Sequence, residues 1–140
     1  MKIALVSCTK LKASYPCTAR EMYQESTLFK KAVNFIEQQG YDDWYVLSAK
    51  YGLLRQKDLI EPSDLTLNTM KVSERRKWSE MVIKQLEDLQ LDITNVDFYA
   101  GAKYREYLIP TLTKKGLTCN VPLEGKAIGE QLSYYTTHTR

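Results

Sequence analysis

Three short apolar runs in this chain each end on small, hydroxylated or cationic residues. Lys2 to Val6 leads into Ser7-Cys8-Thr9-Lys10, Trp44 to Ser48 into Ala49-Lys50-Tyr51-Gly52, and Val96 to Tyr99 into Ala100-Gly101-Ala102-Lys103-Tyr104. A fourth run, Leu117 to Val121, is followed by Pro122-Leu123-Glu124-Gly125. Near-continuous hydrophobic strands separated by helical patterns specify a parallel sheet covered on both faces by right-handed crossovers. Parallel strands end on one edge, and ligands bind in the crevice beyond it. The expectation is one three-layer α/β/α domain over residues 1–140 with a mainly parallel four-stranded sheet.

The intervening segments carry helix signals. Ser26 reads as an N-cap before Leu28, Phe29, Ala32, Val33 and Ile36 at helical spacing, with Gly40 as the stop. Ser73 reads as the cap of a second helix, to about Leu89, with Trp78, Met81, Val82, Leu86 and Leu89 on one stripe. Lys103 to Lys115 reads as a third, in which Pro110 forces a kink or a new start. Ile128 to about Thr136 is the last. Two stretches have no clear period: Ser7 to Glu25, a length that is functional or hides a short helix, and the chain after Gly52 through Glu61-Pro62-Ser63-Asp64.

Composition narrows the chemistry. A net charge of +3, with both signs interspersed, tolerates a polyanion without demanding one. His138 is the only histidine, so imidazole-ligated metals and Ser-His or Cys-His hydrolases are not expected, and neither is a cofactor. Cys8, Cys17 and Cys119 form no disulfide framework and no metal knuckle. No run approaches the roughly 20 apolar residues of a membrane span, so no membrane partner is expected. The start reads as a strand and not a secretory signal, which makes a cytoplasmic location the expectation.

The strand ends supply the candidate site. Ser7, Cys8, Thr9 and Lys10 form a turn whose hydroxyls, backbone N–H groups and ammonium suit an anion, although neither a Walker motif nor a dinucleotide fingerprint is present. Ser48, Lys50, Tyr51 and Gly52 repeat the pattern of a small hydroxyl followed by a lysine. Gly101 permits close approach to a ligand beside Tyr104, and Tyr23 and Phe29 are candidates to stack on a base. Glu61 and Asp64 are the carboxylates expected at the rim, where such groups serve a glycosidic bond as nucleophile or base; Glu124 is a third candidate for ligand contact.

Ser7-Cys8-Thr9-Lys10, Met22-Tyr23 with Ser26 and Leu28-Phe29, Leu47-Ser48-Ala49-Lys50-Tyr51-Gly52-Leu53-Leu54 and Ile60-Glu61-Pro62 with Asp64-Leu65-Thr66 together resemble a family of small bacterial and phage proteins known only as a domain of unknown function. Pro122-Leu123-Glu124-Gly125 and Ile128-Gly129-Glu130-Gln131-Leu132 extend the resemblance over nearly the whole chain. That family is in turn similar to the uracil-DNA-glycosylase-like domain of archaeal tRNA-guanine transglycosylases and archaeosine synthases. The resemblance implies a uracil-DNA-glycosylase-like or Rossmann-like sheet and a ligand containing a nucleobase, nucleoside or nucleic acid. It transfers no catalytic residue, because the Asp-Pro-Tyr after the first strand of uracil-DNA glycosylases and their late histidine have no counterpart here. The expected function is the handling of a nucleoside or nucleotide, with action at an N-glycosidic bond through Glu61 or Asp64, or else binding without chemistry. Nucleic acid is a possible partner through a basic stripe of Lys10, Lys12, Arg20, Lys30 and Lys31.

Overall fold

A computed structural model describes all residues 1–140. The chain runs β1 (Lys2–Ser7), β2 (Cys17–Thr18), α1 (Ala19–Met22), α2 (Thr27–Ile36), β3 (Asp43–Ser48), β4 (Gly52–Leu54) and β5 (Leu59–Ile60). After a 3₁₀ turn at Leu67–Thr69 come α3 (Val72–Asp88), β6 (Asn95–Tyr99), α4 (Ala102–Arg105), α5 (Leu108–Lys114), β7 (Thr118–Asn120) and α6 (Ile128–His138). The main sheet has the order β4-β3-β1-β6-β7, and β2 pairs with β5 in a separate two-stranded ribbon. No helix is long and apolar enough to cross a membrane.

β1, β3, β6 and β7 are parallel, as the alternation with helices requires. The sheet has five strands, however, and not four. The fifth is β4, antiparallel to β3 with Ser48 opposite Gly52 and Val46 opposite Leu54. It lies in the stretch read as irregular: three residues are too few to show a period, and their pairing comes from the tight turn at 49–51.

β1 is central, with β3 in register on one side (Ala4 opposite Trp44) and β6 on the other (Ala4 opposite Asp97). Its side chains alternate between two cores. Ala4 and Val6, with Trp44 and Val46, pack beneath Phe29, Ala32, Val33 and Ile36 of α2 and Tyr135 of α6. Ile3 and Leu5, with Leu47, Val96 and Phe98, pack against Trp78, Val82 and Leu86 of α3 and Leu108 and Leu112 of α5. Burying each such Leu, Ile or Phe contributes about 1.5–3 kcal/mol.

Helix ends follow local chemistry. Ser26 Oγ accepts from Phe29 N at 3.2 Å and starts α2. α3 begins two residues earlier than a Ser73 cap implies: Lys71 is the N-cap, and its N–H is met by Glu74 Oε1 at 3.4 Å. Pro110 marks a new start, because the third helical reading divides into α4 and α5, and the proline stands in the first turn of α5, where its missing N–H costs little. The long stretch from Ser7 to Glu25 holds β2 and α1, whose N-cap Thr18 accepts from Glu21 N at 3.3 Å.

Gly52 is fixed by packing. Its φ is +75°, and a Cβ there would collide with Gln85 Oε1 and stand 2.8 Å from Met81 Cε. Gln85 cannot retreat freely, since it accepts from Leu53 N at 2.8 Å and donates to Tyr51 O at 3.0 Å. Gly52→Ala is therefore expected to lose about 2 kcal/mol in denaturant unfolding, and less when placed in a Gln85→Ala background. Strictly additive losses would show that Gln85 is not what excludes a side chain.

Candidate functional site

The chain leaves β1 toward the α2 face and leaves β6 toward the α4–α5 face, while the two strands lie side by side. Diverging connections open a crevice at the carboxyl ends of such a strand pair, the topological switch point of the sheet. Two cavities occupy it. A polar one of about 780 Å³ lies toward the 63–68 segment. An apolar one of about 370 Å³ lies between α2, α6 and the segment after β7. Ser7, Thr9, Gly101 and Ala102 line both.

The polar cavity gathers Ser7, Cys8, Thr9 and Lys10 from the end of β1, Ser48 from β3, Gly101 and Tyr104 from the end of β6, and Asp64. Its floor is buried and hydroxylated. Tyr104 Oη is 3.6 Å from Cys8 Sγ, and its ring stands edge-on to Trp78, whose Nε1 donates to Ser48 O at 2.8 Å. Burial, and next the neighbouring Cys8, push the Tyr104 phenol up to about 12. Burial likewise drives Tyr23 well above the ordinary phenol value, with Cys8 adding to the shift and a hydrogen bond to Ser48 opposing it. Both phenols therefore keep their protons at neutral pH and remain hydrogen-bond donors.

The walls are cationic. Lys10, Lys12 and Lys103 line the cavity with one carboxylate, Asp64, among them. Lys12 Nζ donates to Lys10 O at 2.8 Å and to Asp64 Oδ1 at 3.0 Å; the Lys12 side chain is mostly buried while that of Asp64 is fully exposed. With its carboxylate fully in solvent, such an ion pair is weak. Lys103 Nζ donates to Asn68 O at 3.3 Å, tying α4 to the 63–68 wall. Arg75 braces the same wall from behind, donating to Met70 O at 2.7 Å and to Glu106 Oε1 at 2.8 Å.

Five of the expected site residues lie outside the polar cavity. Lys50, Tyr51 and Gly52 turn away with the β3–β4 hairpin. Lys50 Nζ sits 5.2 Å from the Tyr51 ring, and Tyr51 Oη accepts from Glu61 N at 3.2 Å, so the phenol staples the hairpin to the end of β5. Glu61 is exposed and outside both cavities. Glu124 lines the apolar cavity and not the polar one. The basic stripe falls into separate places: Lys10 and Lys12 in the polar cavity, Lys30 and Lys31 in a depression on α2, and Arg20 paired with Glu37 beside Trp44.

Lys12, Ser63, Thr66 and Asn68 are cavity residues that strand-end reasoning does not assign to the site. For Lys12 a signal exists, since two lysines at i and i+2 on an extended segment share a side. Thr66 and Asn68 reach the cavity through tertiary packing alone. No three His, Cys, Asp or Glu side chains come together as metal ligands.

Fold and site define an α/β protein with a cationic, hydroxylated crevice at the switch point of a mainly parallel sheet. Residues 3–137 match the model of a family of unknown function, DUF6884, and the chain belongs to that family. Neither the comparison with curated proteins nor that with solved structures returned a match.

The phenols set an alkaline limit. Tyr104 holds its proton in the folded state to about pH 12, whereas an unfolded tyrosine releases it near 10. The folded state binds more protons across that window, so its stability falls as pH rises from about 10 through 12. Tyr104→Phe is expected to flatten this decline in denaturant melts at stepped pH; an unchanged slope would remove Tyr104 from the account.

Proposed function

We propose that this protein handles a nucleoside phosphate in the crevice between β1 and β6, with action at the N-glycosidic bond through Asp64. The observation that carries the proposal is the convergence of Lys10, Lys12 and Lys103 with the hydroxyls of Ser7, Thr9, Ser63 and Thr66 around one cavity. Ammonium groups and hydroxyl donors in a partly enclosed cavity are suited to a phosphate, and the buried phenols of Tyr23 and Tyr104 add donors for ribose or further phosphate oxygens. Asp64 takes the role because it is the only carboxylate lining this cavity, whereas Glu61 is outside it. A carboxylate beside C1′ stabilises the oxocarbenium-like sugar as the C1′–N bond breaks and its electron pair leaves with the base; water then adds to C1′ and its proton passes to the departing base. Neither histidine nor metal is needed. The parallel strand order, with helices on both faces, agrees with a three-layer fold of the uracil-DNA-glycosylase-like or Rossmann-like kind, and a cytoplasmic location suits the three free cysteines.

One observation favours binding without turnover. Asp64 is fully exposed and engaged by Lys12, which leaves it in water and not in the dry setting where a charge acts most strongly. Sequestering or sensing the same ligand then uses the same lysines.

A thermal-shift panel of nucleobases, nucleosides, nucleotides, sugar phosphates and short oligonucleotides, followed by chromatography of each reaction, tests both. A nucleotide at about 100 times its Kd is expected to add about 2.7 kcal/mol of stability. Lys103→Ala is expected to remove most of that gain. Asp64→Asn is expected to abolish release of free base while sparing the shift, and Glu61→Gln to change neither. A nucleotide shift with no product in any reaction would leave the binding module, and a shift from oligonucleotides alone would turn the assignment to nucleic acid.

A further inference from the structure

Resting on the assignment of a phosphate to the lysine-lined cavity, we infer that the adjoining apolar cavity is the base subsite of the same ligand, so that a nucleotide spans both cavities across Gly101. The two compartments meet at Ser7, Thr9, Gly101 and Ala102, one lined mainly by hydrophobic residues and the other mainly by lysines and hydroxyl groups. The apolar one is backed by the buried rings of Phe29 and Tyr135, 1% and 2% exposed, and its accessible apolar lining comes from half-buried Leu28 and exposed Ile128, with Leu123 nearly buried. Its volume of about 370 Å³ lies within the range of small-molecule pockets. A planar base gains by packing against the aliphatic lining, while the two cations there are already engaged, Arg105 donating to Ala100 O at 2.7 Å and Lys126 standing over the Tyr134 ring. Glu124 and Gln131 line the same compartment and supply acceptors for the N–H edge of a base.

Gly101 is the second support. Its backbone, φ −64° and ψ 163°, is one that any residue adopts, and a Cβ built there meets nothing within 4 Å. Gly101 is the N-cap of α4, a place that Ser, Asn or Asp fills at least as well, so capping alone does not call for a glycine. What its missing side chain preserves is open space where the cavities join, the place where a sugar linking base to phosphate has to lie. Gly101→Leu fills that space without strain. Ile128→Trp obstructs the apolar compartment from a residue that is 63% exposed and tolerant of substitution.

Calorimetric titration of the full chain with pyrophosphate, with nucleosides and with the four nucleoside 5′-monophosphates separates the possibilities. At least one monophosphate is expected to bind about tenfold or more tightly than either pyrophosphate or its own nucleoside. Gly101→Leu, where the cavities join, is expected to weaken that monophosphate about tenfold, and Ile128→Trp, which lines only the apolar cavity, to do so while leaving pyrophosphate within about twofold. Should Gly101→Leu fail to fold by circular dichroism, Ile128→Trp carries the test alone. Pyrophosphate binding that depends on Lys103, with monophosphates no tighter or indifferent to the obstructing variants, would overturn the base subsite and leave the phosphate assignment standing. Absence of binding by pyrophosphate and monophosphates alike would overturn both.

Discussion

β1 is the constraint on which the rest of the structure depends. It is paired on both sides in parallel, and its alternate residues belong to different cores, Ala4 and Val6 beneath α2 and α6, Ile3 and Leu5 against α3 and α5. A shift of one residue in its register would exchange the two sets, presenting small Ala4 where Leu5 fills space and Leu5 where Ala4 admits Phe29. With β1 fixed, β3 and β6 are fixed beside it, and their carboxyl ends meet at one edge. The crevice is a consequence of that topology, and the side chains on its rim decide what it holds.

Those rim side chains divide the work between rigidity and availability. Tyr23, Ser48 and Tyr104 are buried, Tyr104 held by Cys8 and Trp78, Ser48 by Trp78 and Tyr23 against Phe29, so the cavity floor is fixed before any ligand arrives. The lysines engage weakly and locally, with backbone carbonyls for Lys12 and Lys103 and an exposed carboxylate for Lys12. A phosphate can replace those contacts at little cost, whereas rearranging the floor would disturb the core. Preorganised donors below and exchangeable cations above are what an anionic ligand requires.

How much of this could be read from the residues differs by element. β1, β3 and β6 are legible because buried parallel strands leave continuous apolar runs, and α2 because Ser26 caps a clear amphipathic stripe. β4 is not, because three residues carry no period and owe their pairing to a hairpin whose Gly52 is constrained by Gln85, 33 positions away in sequence. The site follows the same division. Ser7 to Lys10, Ser48, Gly101 and Tyr104 are legible because parallel strands deliver their ends to one edge. Lys50 and Tyr51 mislead because the chain reverses directly after Ser48 and takes them to the hairpin. Glu61 and Asp64 are three residues apart on one loop, and only the packing of the 63–68 wall against α4 determines that Asp64 lines the cavity and Glu61 does not. Thr66 and Asn68 carry no local signal at all.

The central claim is that the β1–β6 crevice receives a nucleotide, and mapping backbone amide shifts of ¹⁵N-labelled protein during titration with nucleoside 5′-monophosphates tests it most directly. Changes concentrated at Ser7 to Lys12, Ser63 to Asn68 and Gly101 to Tyr104, with α3 and α5 quiet beyond those segments, are the expected result. Changes confined to the exposed face of α2 around Lys30 and Lys31, or an unperturbed spectrum with every nucleotide, would contradict it.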